Sequence, residues 1–321
     1  MSTLVMGVVN VTTDSFSDGG RYLDTGAAIS HGLALWAAGA DILDVGGEST
    51  RPGAERVDPS IERDRVVPVI RALAQRGAWI SIDTMNASTA LAAVDSGARI
   101  VNDVSGGLAD AAMLPAVAET DAEIVLGHWR GPSREMYAPA QYADVAAEVT
   151  AELAERVAAA RSAGIAADRI IVDPGIGFGK RPEQNWDVLR ALPHLGAAGQ
   201  RVLLGTSRKR FLAEALAEAS VDAQRRFIER STAQRRFAER TEAGAVRAGA
   251  QADPQEPSSA DASAATETSA VTEARRDTAT AVTSALAALA GVWAVRVHDV
   301  AATRDALRIA ELWGGPDVPA R

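Results

Sequence analysis

The sequence predicts an α/β fold, namely a (β/α)8 TIM barrel that carries a long insertion between strands seven and eight. Eight short apolar runs alternate with helical patterns along the 321 residues, and a polar residue stands at or near the C-terminal end of every run. Strict alternation implies a parallel sheet, and eight repeats suggest that the sheet closes. A doubly wound open sheet is the alternative, but barrels build their active sites from strand ends of this kind.

The composition bounds the class of protein. The chain is 47% hydrophobic, which allows a substantial core, and its net charge of −9 disfavours a nucleic-acid partner. Cysteine is absent from the sequence, which excludes disulfides and thiolate metal sites. No apolar run is long enough to span a membrane, and the N-terminus does not resemble a signal peptide. We therefore expect a cytoplasmic protein without nucleic-acid or membrane partners.

The eight predicted strands are short runs rich in Val, Ile and other apolar residues, a composition that favours β structure. In chain order they are Leu4 to Val11, Ala40 to Gly47, Trp79 to Thr84, Ile100 to Gly106, Glu123 to His128, Ile170 to Phe178, Arg201 to Lys209 and Val292 to Val300. Amphipathic helical patterns separate them. The clearest are DTGAAISHGLALWAAG after strand one, DPSIERDRVVPVIRALAQ after strand two, QYADVAAEVTAELAERVAAARSAG after strand five and RRDTATAVTSALAALAG before strand eight.

The polar residues at the strand ends are expected to converge on one mouth of the barrel. They are Asn10, Glu48, Asp83, Asn102, His128, Asp173, Lys209, and Arg296 with His298. Strand eight is unusual because Arg296 and His298 fall on the same face, about 7 Å apart. Such a cation pair needs an anion or a carboxylate to offset its desolvation.

The motif DPGIGFGK, residues 173 to 180, fits neither the G-x-x-x-x-G-K-[ST] nor the G-x-G-x-x-G phosphate loop. Its strand-end carboxylate, Asp173, is suited to accept two donors from a flat heterocycle with an amidine-like edge. Asp83 and Asn102 on neighbouring strands add acceptors and donors, and Lys209 adds a donor. Arg208 and Arg210 are expected in structural ion pairs or along the mouth.

Two further features concern metal binding and access to the site. Asn10 presents an amide oxygen at the end of strand one, a hard ligand suited to a Mg²⁺ that is shared with a phosphate. The loops NVTTDSFSDGG and DVGGESTRPGA follow strands one and two and are rich in Gly, Ser, Thr and Asp. They are predicted to act as mobile lids over the site.

The barrel is predicted to occupy residues 1–216 and 276–314, with a low-complexity insertion at 217–275 and a short tail at 315–321. The insertion begins with the repeat AQRRFIER and AQRRFAER and ends in a stretch with almost no large apolar side chains. Such a stretch buries too little surface to offset its ordering entropy. We expect a solvated helix followed by a disordered tail, and we expect the whole excursion of residues 219–275 to be dispensable; a partner-binding element is the alternative.

Seven motifs, taken in order, resemble dihydropteroate synthases. They are MGVVNVTTDSFSDGG, DVGGESTRPGA, SIDT, VNDVSGG, DPGIGFGK, SRKRF and VRVHD. The resemblance implies a homodimeric barrel that joins 6-hydroxymethyl-7,8-dihydropterin diphosphate to 4-aminobenzoate and releases diphosphate. Ionisation of the pterin diphosphate would precede attack by the arylamine, so no protein nucleophile is needed.

The resemblance also implies a role for each matching residue. The pterin would be held by Asp83, Asn102, Asp173 and Lys209. The diphosphate would be held by Thr50, Arg296 and His298, with Mg²⁺ at Asn10. The 4-aminobenzoate and its lid loops would involve Asp18, Arg51, Pro52, Phe178 and Arg210. The catalytic group would comprise Lys209, Asp173, Arg296 and His298.

Gly127 departs from the family pattern, in which a Met precedes the His of VLGHW. Loss of that side chain is expected to open a cavity beneath the pterin and to weaken binding by about 1 to 3 kcal/mol. A catalytically silent pterin-binding paralogue therefore stays as an alternative. A pterin-dependent methyltransferase domain is the other, although it should need neither the two lid loops nor the pair Arg296 and His298.

Overall fold

Eight parallel strands form a closed barrel in which each strand pairs with its sequence neighbours. The structure is a computed structural model and describes residues 2–11, 21–48, 56–131, 140–197, 199–247 and 271–314; for 21–24, 196–197 and most of 224–247 it describes the backbone alone. The strands are β1 Leu4–Asn10, β2 Ile42–Gly46, β3 Trp79–Asp83, β4 Ile100–Asp103, β5 Glu123–Gly127, β6 Ile170–Asp173, β7 Arg201–Leu204 and β8 Ala294–Val297. The predicted eight-stranded barrel is confirmed.

Helices cover the outside of the barrel between successive strands. They are α1 Arg21–Ala37, α2 Pro59–Ala74, α3 Ala87–Asp95, α4 Met113–Ala118, α5 Val145–Ser162, α6 Pro182–Arg190, α7 Leu192–Ala197, α8 Arg210–Arg247, α9 Glu273–Leu289 and α10 Val300–Gly314. Sequence-encoded caps start several of them: the Asp58 side chain accepts from the backbone N–H of Ser60, and that of Asp144 accepts from Ala147. None of the described helices is long and apolar enough to cross a bilayer.

The barrel interior changes character along its axis. Its lower layer is apolar and consists of Met6, Ile42, Ile100, Val125, Ile171, Leu203 and Ala294. Strand side chains alternate between faces, so the residue two positions further along each strand also points inward. That second layer contains Val8 from β1 and, from the other strands, Asp44, Asn102, Gly127, Asp173, Gly205 and Arg296. The fold therefore places charged groups and glycines directly above an apolar plug.

The insertion lies between β7 and β8, as predicted. The helix after β7, α8, runs without interruption from Arg210 to Arg247, so the expected domain boundary at 216/217 falls inside one helix. Arg208 pairs with Asp277 through two hydrogen bonds of 2.7 and 2.9 Å, and Arg275 donates to Ser220 Oγ at 3.1 Å. These contacts tie α9 to the end of β7 and to α8. Residues 248–270 and 315–321, where a disordered segment and a tail are predicted, lie outside the described residues.

Candidate active site

A buried cluster of charges forms the centre of the candidate site. Arg296 on β8 donates from Nε to Asp44 Oδ2 at 2.5 Å and from Nη2 to Asp83 Oδ2 at 2.7 Å. Asn102 Nδ2 donates to the same Asp44 oxygen at 3.1 Å. Asp44, Asn102 and Asp83 are only 0%, 3% and 6% exposed. The other oxygen of Asp44, Oδ1, is buried and has no hydrogen-bond partner within the described residues.

Lys209 and Asp173 form the other side of the cluster. Lys209 Nζ donates to the carbonyl of Ile176 and lies 4.7 Å from the centroid of the Phe178 ring. Asp173 Oδ1 accepts the backbone N–H of Gly175 at 2.7 Å, which fixes the carboxylate at the start of the glycine-rich loop. The DPGIGFGK loop thus supplies the carboxylate and also orients the lysine.

The pKa values of these groups depart from their ordinary values because the groups are buried. Burial raises the pKa of Asp83 to about 7 and raises that of Asp173, whereas it lowers the pKa of Lys209 to about 8. For Arg296 burial acts in the lowering direction, but the adjacent Asp44 and Asp83 carboxylates outweigh it and raise the pKa. Shifts of this kind are typical of functional sites.

Lys180 supports the loop from below and is almost completely buried. Its Nζ donates to the carbonyls of Gly175 and Phe178 at 2.9 and 3.1 Å and to His128 Nδ1 at 2.9 Å. His128 Nε2 lies 2.9 Å from Glu152 Oε2, and because Nδ1 accepts from Lys180, the ring proton is assigned to Nε2, toward the carboxylate. Burial and then Lys180 lower the pKa of His128 to about 3, and burial lowers that of Lys180 to about 7.

His298, the second cation of strand eight, is held by Ser207. The Ser207 hydroxyl lies 2.8 Å from His298 Nδ1 and accepts the backbone N–H of His298 at 3.1 Å. When the hydroxyl donates to Nδ1, the ring proton is on Nε2. Such an imidazole is a hydrogen-bond donor suited to a phosphate oxygen.

Comparison with known proteins places the chain in a family. The family model described as "Pterin binding enzyme" matches residues 6–252. A dihydropteroate synthase of Mycobacterium leprae is 49% identical over 317 residues, which cover 98% of this chain and 95% of the relative. The chain belongs to the dihydropteroate synthase family. This result favours the synthase over the methyltransferase alternative.

Solved structures of the family agree with this assignment. A Xanthomonas albilineans dihydropteroate synthase with 4-aminobenzoic acid has a TM-score of 0.74 at 37% identity, covering 99% of this chain and 94% of that chain. The same enzyme in complex with 7,8-dihydropteroate has a TM-score of 0.70 at 34% identity, with the same two coverages. The likeness extends over nearly the whole chain in both comparisons.

Several residues that the sequence predicts for the site lie away from the charged cluster or outside the described part of the chain. Asp18, Thr50, Arg51 and Pro52, with most of the two predicted lid loops, lie outside the described residues. Arg210 is largely exposed and pairs with Glu214 at 2.6 Å on its own helix. Arg208 makes the expected structural ion pair, with Asp277. Glu48 and His128 end strands but are engaged by Arg56 and by Lys180 with Glu152, respectively.

The expectation that the missing side chain at Gly127 leaves a cavity is wrong. A Cβ on Gly127 would lie 2.5 Å from the carbonyl oxygen of Val104 and 2.7 Å from its Cα. The backbone after β4 therefore fills the space that the family's Met side chain would need. Because this position has no room even for a Cβ, a missing Met side chain does not by itself imply a cavity, and the main argument for a silent paralogue is removed.

Sequence reasoning missed three residues of the site: Asp44, Lys180 and Ser207. Asp44 lies inside an apolar run rather than at its end, yet an acidic residue within a buried strand was itself an indication of function. Lys180 and Ser207 lie in quoted motifs, DPGIGFGK and SRKRF, but each also contacts a histidine at the end of another strand, His128 and His298 respectively. Their roles depend on contacts that the motifs do not contain.

Proposed function

We propose that the charged layer at the barrel mouth carries out the synthesis of 7,8-dihydropteroate from 6-hydroxymethyl-7,8-dihydropterin diphosphate and 4-aminobenzoate. The observation that carries the proposal is the convergence of Asp44, Asp83 and Asp173 with Asn102 above an apolar plug. A planar ring with an amidine-like edge supplies the donors that these acceptors require. A family relative is known in complex with 7,8-dihydropteroate, the product of this reaction.

The pterin is placed by its polar edges. Asp173 accepts from the amidine-like edge, and Asn102 and Asp83 engage the rest of the ring. Lys209 donates to a ring nitrogen or to the carbonyl oxygen. The unpartnered Asp44 Oδ1 adds one more acceptor at the floor of the site. Each charge-assisted contact contributes about 1.5 to 3 kcal/mol in such a buried setting.

Arg296 changes partner in this proposal. In this structure its guanidinium donates to Asp83 Oδ2 at 2.7 Å, and this is the carboxylate to which the pterin must donate. The pterin ring donates to the Asp83 carboxylate in place of Arg296, and Arg296 keeps its contact with Asp44 Oδ2, which is 2.5 Å long in this structure. The released Nη2 then joins His298 and Thr50 in binding the diphosphate. Pterin binding thereby prepares the anion site.

The bond changes follow from this placement. The bond from the exocyclic methylene carbon to the diphosphate oxygen breaks, and the electron pair leaves with diphosphate, whose charge Arg296 and His298 stabilise. The ring delocalises the resulting cation. The amine nitrogen of 4-aminobenzoate then forms the new C–N bond and loses a proton. Phe178, Arg210, Asp18, Arg51 and Pro52 are proposed to surround the second substrate.

Asn10 is the proposed Mg²⁺ ligand. No group of three or more acidic or histidine side chains that could hold a metal occurs among the described residues. Asn10, at the end of β1, offers the hard oxygen that Mg²⁺ prefers, and this ion binds readily through one protein ligand, waters and a phosphate. When bound with the substrate, Mg²⁺ would neutralise part of the diphosphate charge.

A homodimer is proposed through α9 and α10. These helices pack side by side and present a shared apolar surface formed by Val282, Leu286, Leu289, Ile309, Leu312 and Trp313, the last 84% exposed. Exposed apolar residues on two packed helices are typical of an interaction site, and we propose that a second copy covers them in a two-fold symmetric dimer. Leu286→Glu is expected to give monomers in sedimentation velocity.

A cytoplasmic location is also proposed, supported by the cysteine-free sequence.

The direct test is a product assay. The chain is incubated with Mg²⁺, the pterin diphosphate and 4-aminobenzoate, and 7,8-dihydropteroate and diphosphate are quantified together. Equal amounts of both products, dependent on both substrates, are expected. Pterin binding without product would indicate the silent paralogue and would overturn the proposal.

A further inference from the structure

Gly205 directly follows β7 and is the inward-facing residue above Leu203. It is buried, and its backbone is not in the left-handed region that favours glycine. An L-amino acid could therefore adopt this conformation without strain. The backbone does not explain why this position has no side chain.

Close packing does not explain the glycine either. A Cβ on Gly205 would lie 3.7 Å from Lys209 Nζ, 3.8 Å from Arg296 Cβ and 4.0 Å from Asp173 Oδ2, all ordinary van der Waals distances. Gly175 is a contrasting case, because a Cβ there would lie 2.2 Å from the carbonyl oxygen of His128. The surrounding protein atoms leave room for a methyl group at Gly205 but not at Gly175.

The position of that missing methyl group is informative. It is the point at which groups from β6, β8 and the start of α8 approach one another, and all three belong to the proposed site. A ligand atom hydrogen-bonded to Lys209 Nζ or Asp173 Oδ2 sits about 3 Å from it. A methyl carbon 3.7 Å from Lys209 Nζ and 4.0 Å from Asp173 Oδ2 would compete with that ligand atom for the same space.

A second glycine lies across the barrel. In an eight-stranded ring β7 stands opposite β3, which carries Asp83. A Cβ on Gly46, the neighbour of Asp83 in the register of β2 and β3, would lie 3.6 Å from Asp83 Oδ2. Both walls of the charged layer thus lack a side chain beside a carboxylate.

From this geometry we infer that Gly205 determines ligand specificity by providing the clearance that a bicyclic ring needs between Lys209, Asp173 and Arg296. The inference rests on the proposed function, since the bicyclic ligand is the pterin. An added methyl group narrows the site on the side of Lys209. A monocyclic ring with the same amidine-like edge needs less width and is affected less.

The experiment compares Gly205→Ala with the wild type and with Gly26→Ala, an exposed helical position where a Cβ meets nothing within 4 Å. For Gly205→Ala we expect a rise of tenfold or more in the KM for the pterin diphosphate, a KM for 4-aminobenzoate within twofold, and an unchanged thermal midpoint. The Kd of 2-aminopyrimidin-4-one, a monocycle with the same edge, should change less than threefold. Gly26→Ala should match the wild type in both KM values and in the Kd, and its thermal midpoint should be equal or slightly higher, because Ala favours a helix over Gly.

Each other outcome contradicts the inference in a distinguishable way. A wild-type KM for the pterin diphosphate in Gly205→Ala overturns the clearance role alone. Equal losses for the bicyclic and monocyclic ligands, or a fall in thermal midpoint of several degrees, show that Gly205 serves packing instead. If the wild type itself binds no pterin, the proposed function fails and this inference fails with it.

Discussion

Arg296 donates from Nη2 to Asp83 Oδ2 at 2.7 Å, so a pterin-binding carboxylate of the proposed site is occupied by the protein's own guanidinium. A guanidinium and the amidine-like edge of a pterin present similar planar donors. In the proposed site the guanidinium therefore stands where the donors of the ligand would bind. On this proposal, binding exchanges one set of charge-assisted hydrogen bonds for another, and Asp83 keeps a partner throughout.

The affinity for the pterin without its diphosphate should depend on pH with a maximum between about 7 and 8. Burial raises the pKa of Asp83 to about 7, so below this pH the carboxyl is protonated and must lose its proton to accept from the ring. Burial lowers the pKa of Lys209 to about 8, so above this pH the donor loses its charge. Isothermal titration between about pH 5.5 and 9, a range that covers the declines on both sides of the maximum, measures how the affinity depends on pH.

Two variants separate the limbs of this profile. Asp83→Asn should bind more weakly but without the decline below pH 7, and Lys209→Arg should lack the decline above pH 8, because an arginine stays protonated. A wild-type affinity that is constant across the range would contradict the assignment of both groups to the pterin.

Asp44→Asn should destabilise the protein. The substitution leaves the buried Arg296 with one carboxylate instead of two, and breaking a buried ion pair costs about 3 to 5 kcal/mol. We expect a loss near the lower end, about 3 kcal/mol, in the free energy of unfolding measured by denaturant titration. The double variant Asp44→Asn with Arg296→Met should recover part of it, since no unpaired cation remains. A double variant as unstable as the sum of the single changes would refute this coupling.

Acid should destabilise the protein in part through His128. The pKa of the ring is lowered to about 3 in the folded protein, so between about 6.5 and 3 the unfolded chain binds more protons and stability falls as the pH falls. His128→Gln retains a donor toward Glu152 and an acceptor, but it does not titrate. Its thermal midpoint should therefore decline less steeply with acid than that of the wild type. The exposed His194→Gln serves as control and should follow the wild-type slope.

Most of the insertion should be dispensable if its anchoring residues are retained. Replacing 222–271 with a Gly-Ser linker of about ten residues keeps Ser220 and Arg275, which hydrogen-bond to each other at 3.1 Å. We expect kcat/KM within about twofold of the wild type and a nearly unchanged thermal midpoint. Replacing 219–275 also removes Ser220, Arg275 and the Glu273 partner of Arg208, and should lower the midpoint. Loss of dimerisation, or of more than about tenfold in activity (about 1.4 kcal/mol), in the shorter replacement would favour a partner-binding element.

The sequence was sufficient to predict the barrel because each strand is a separate local pattern. The same patterns placed Asp83, Asn102, Asp173, Lys209 and Arg296 near one another, since parallel strands end at the same edge. They did not predict that Arg296 pairs with Asp44, a residue 252 positions away, because this contact depends on the register and tilt of the closed sheet.

Gly127 also shows that local sequence patterns do not predict contacts between distant parts of the chain. Judged by its motif alone, the glycine implied a void, because a large side chain was missing. The backbone at Val104, 23 residues earlier in the sequence, occupies that space. A local pattern shows which side chain is absent but not which part of the chain fills its place.

The central claim is that the strand-end acids at the barrel mouth bind the pterin, and Asp173→Asn tests it most directly. The measurement is the Kd of 6-hydroxymethyl-7,8-dihydropterin diphosphate by isothermal titration, with Asp121→Asn at the opposite end of the barrel as the matched control. We expect Asp173→Asn to weaken binding by about 10- to 150-fold, the equivalent of a charge-assisted hydrogen bond of about 1.5 to 3 kcal/mol, with the thermal midpoint nearly unchanged. The control should bind as the wild type does. Wild-type affinity in Asp173→Asn would contradict the account.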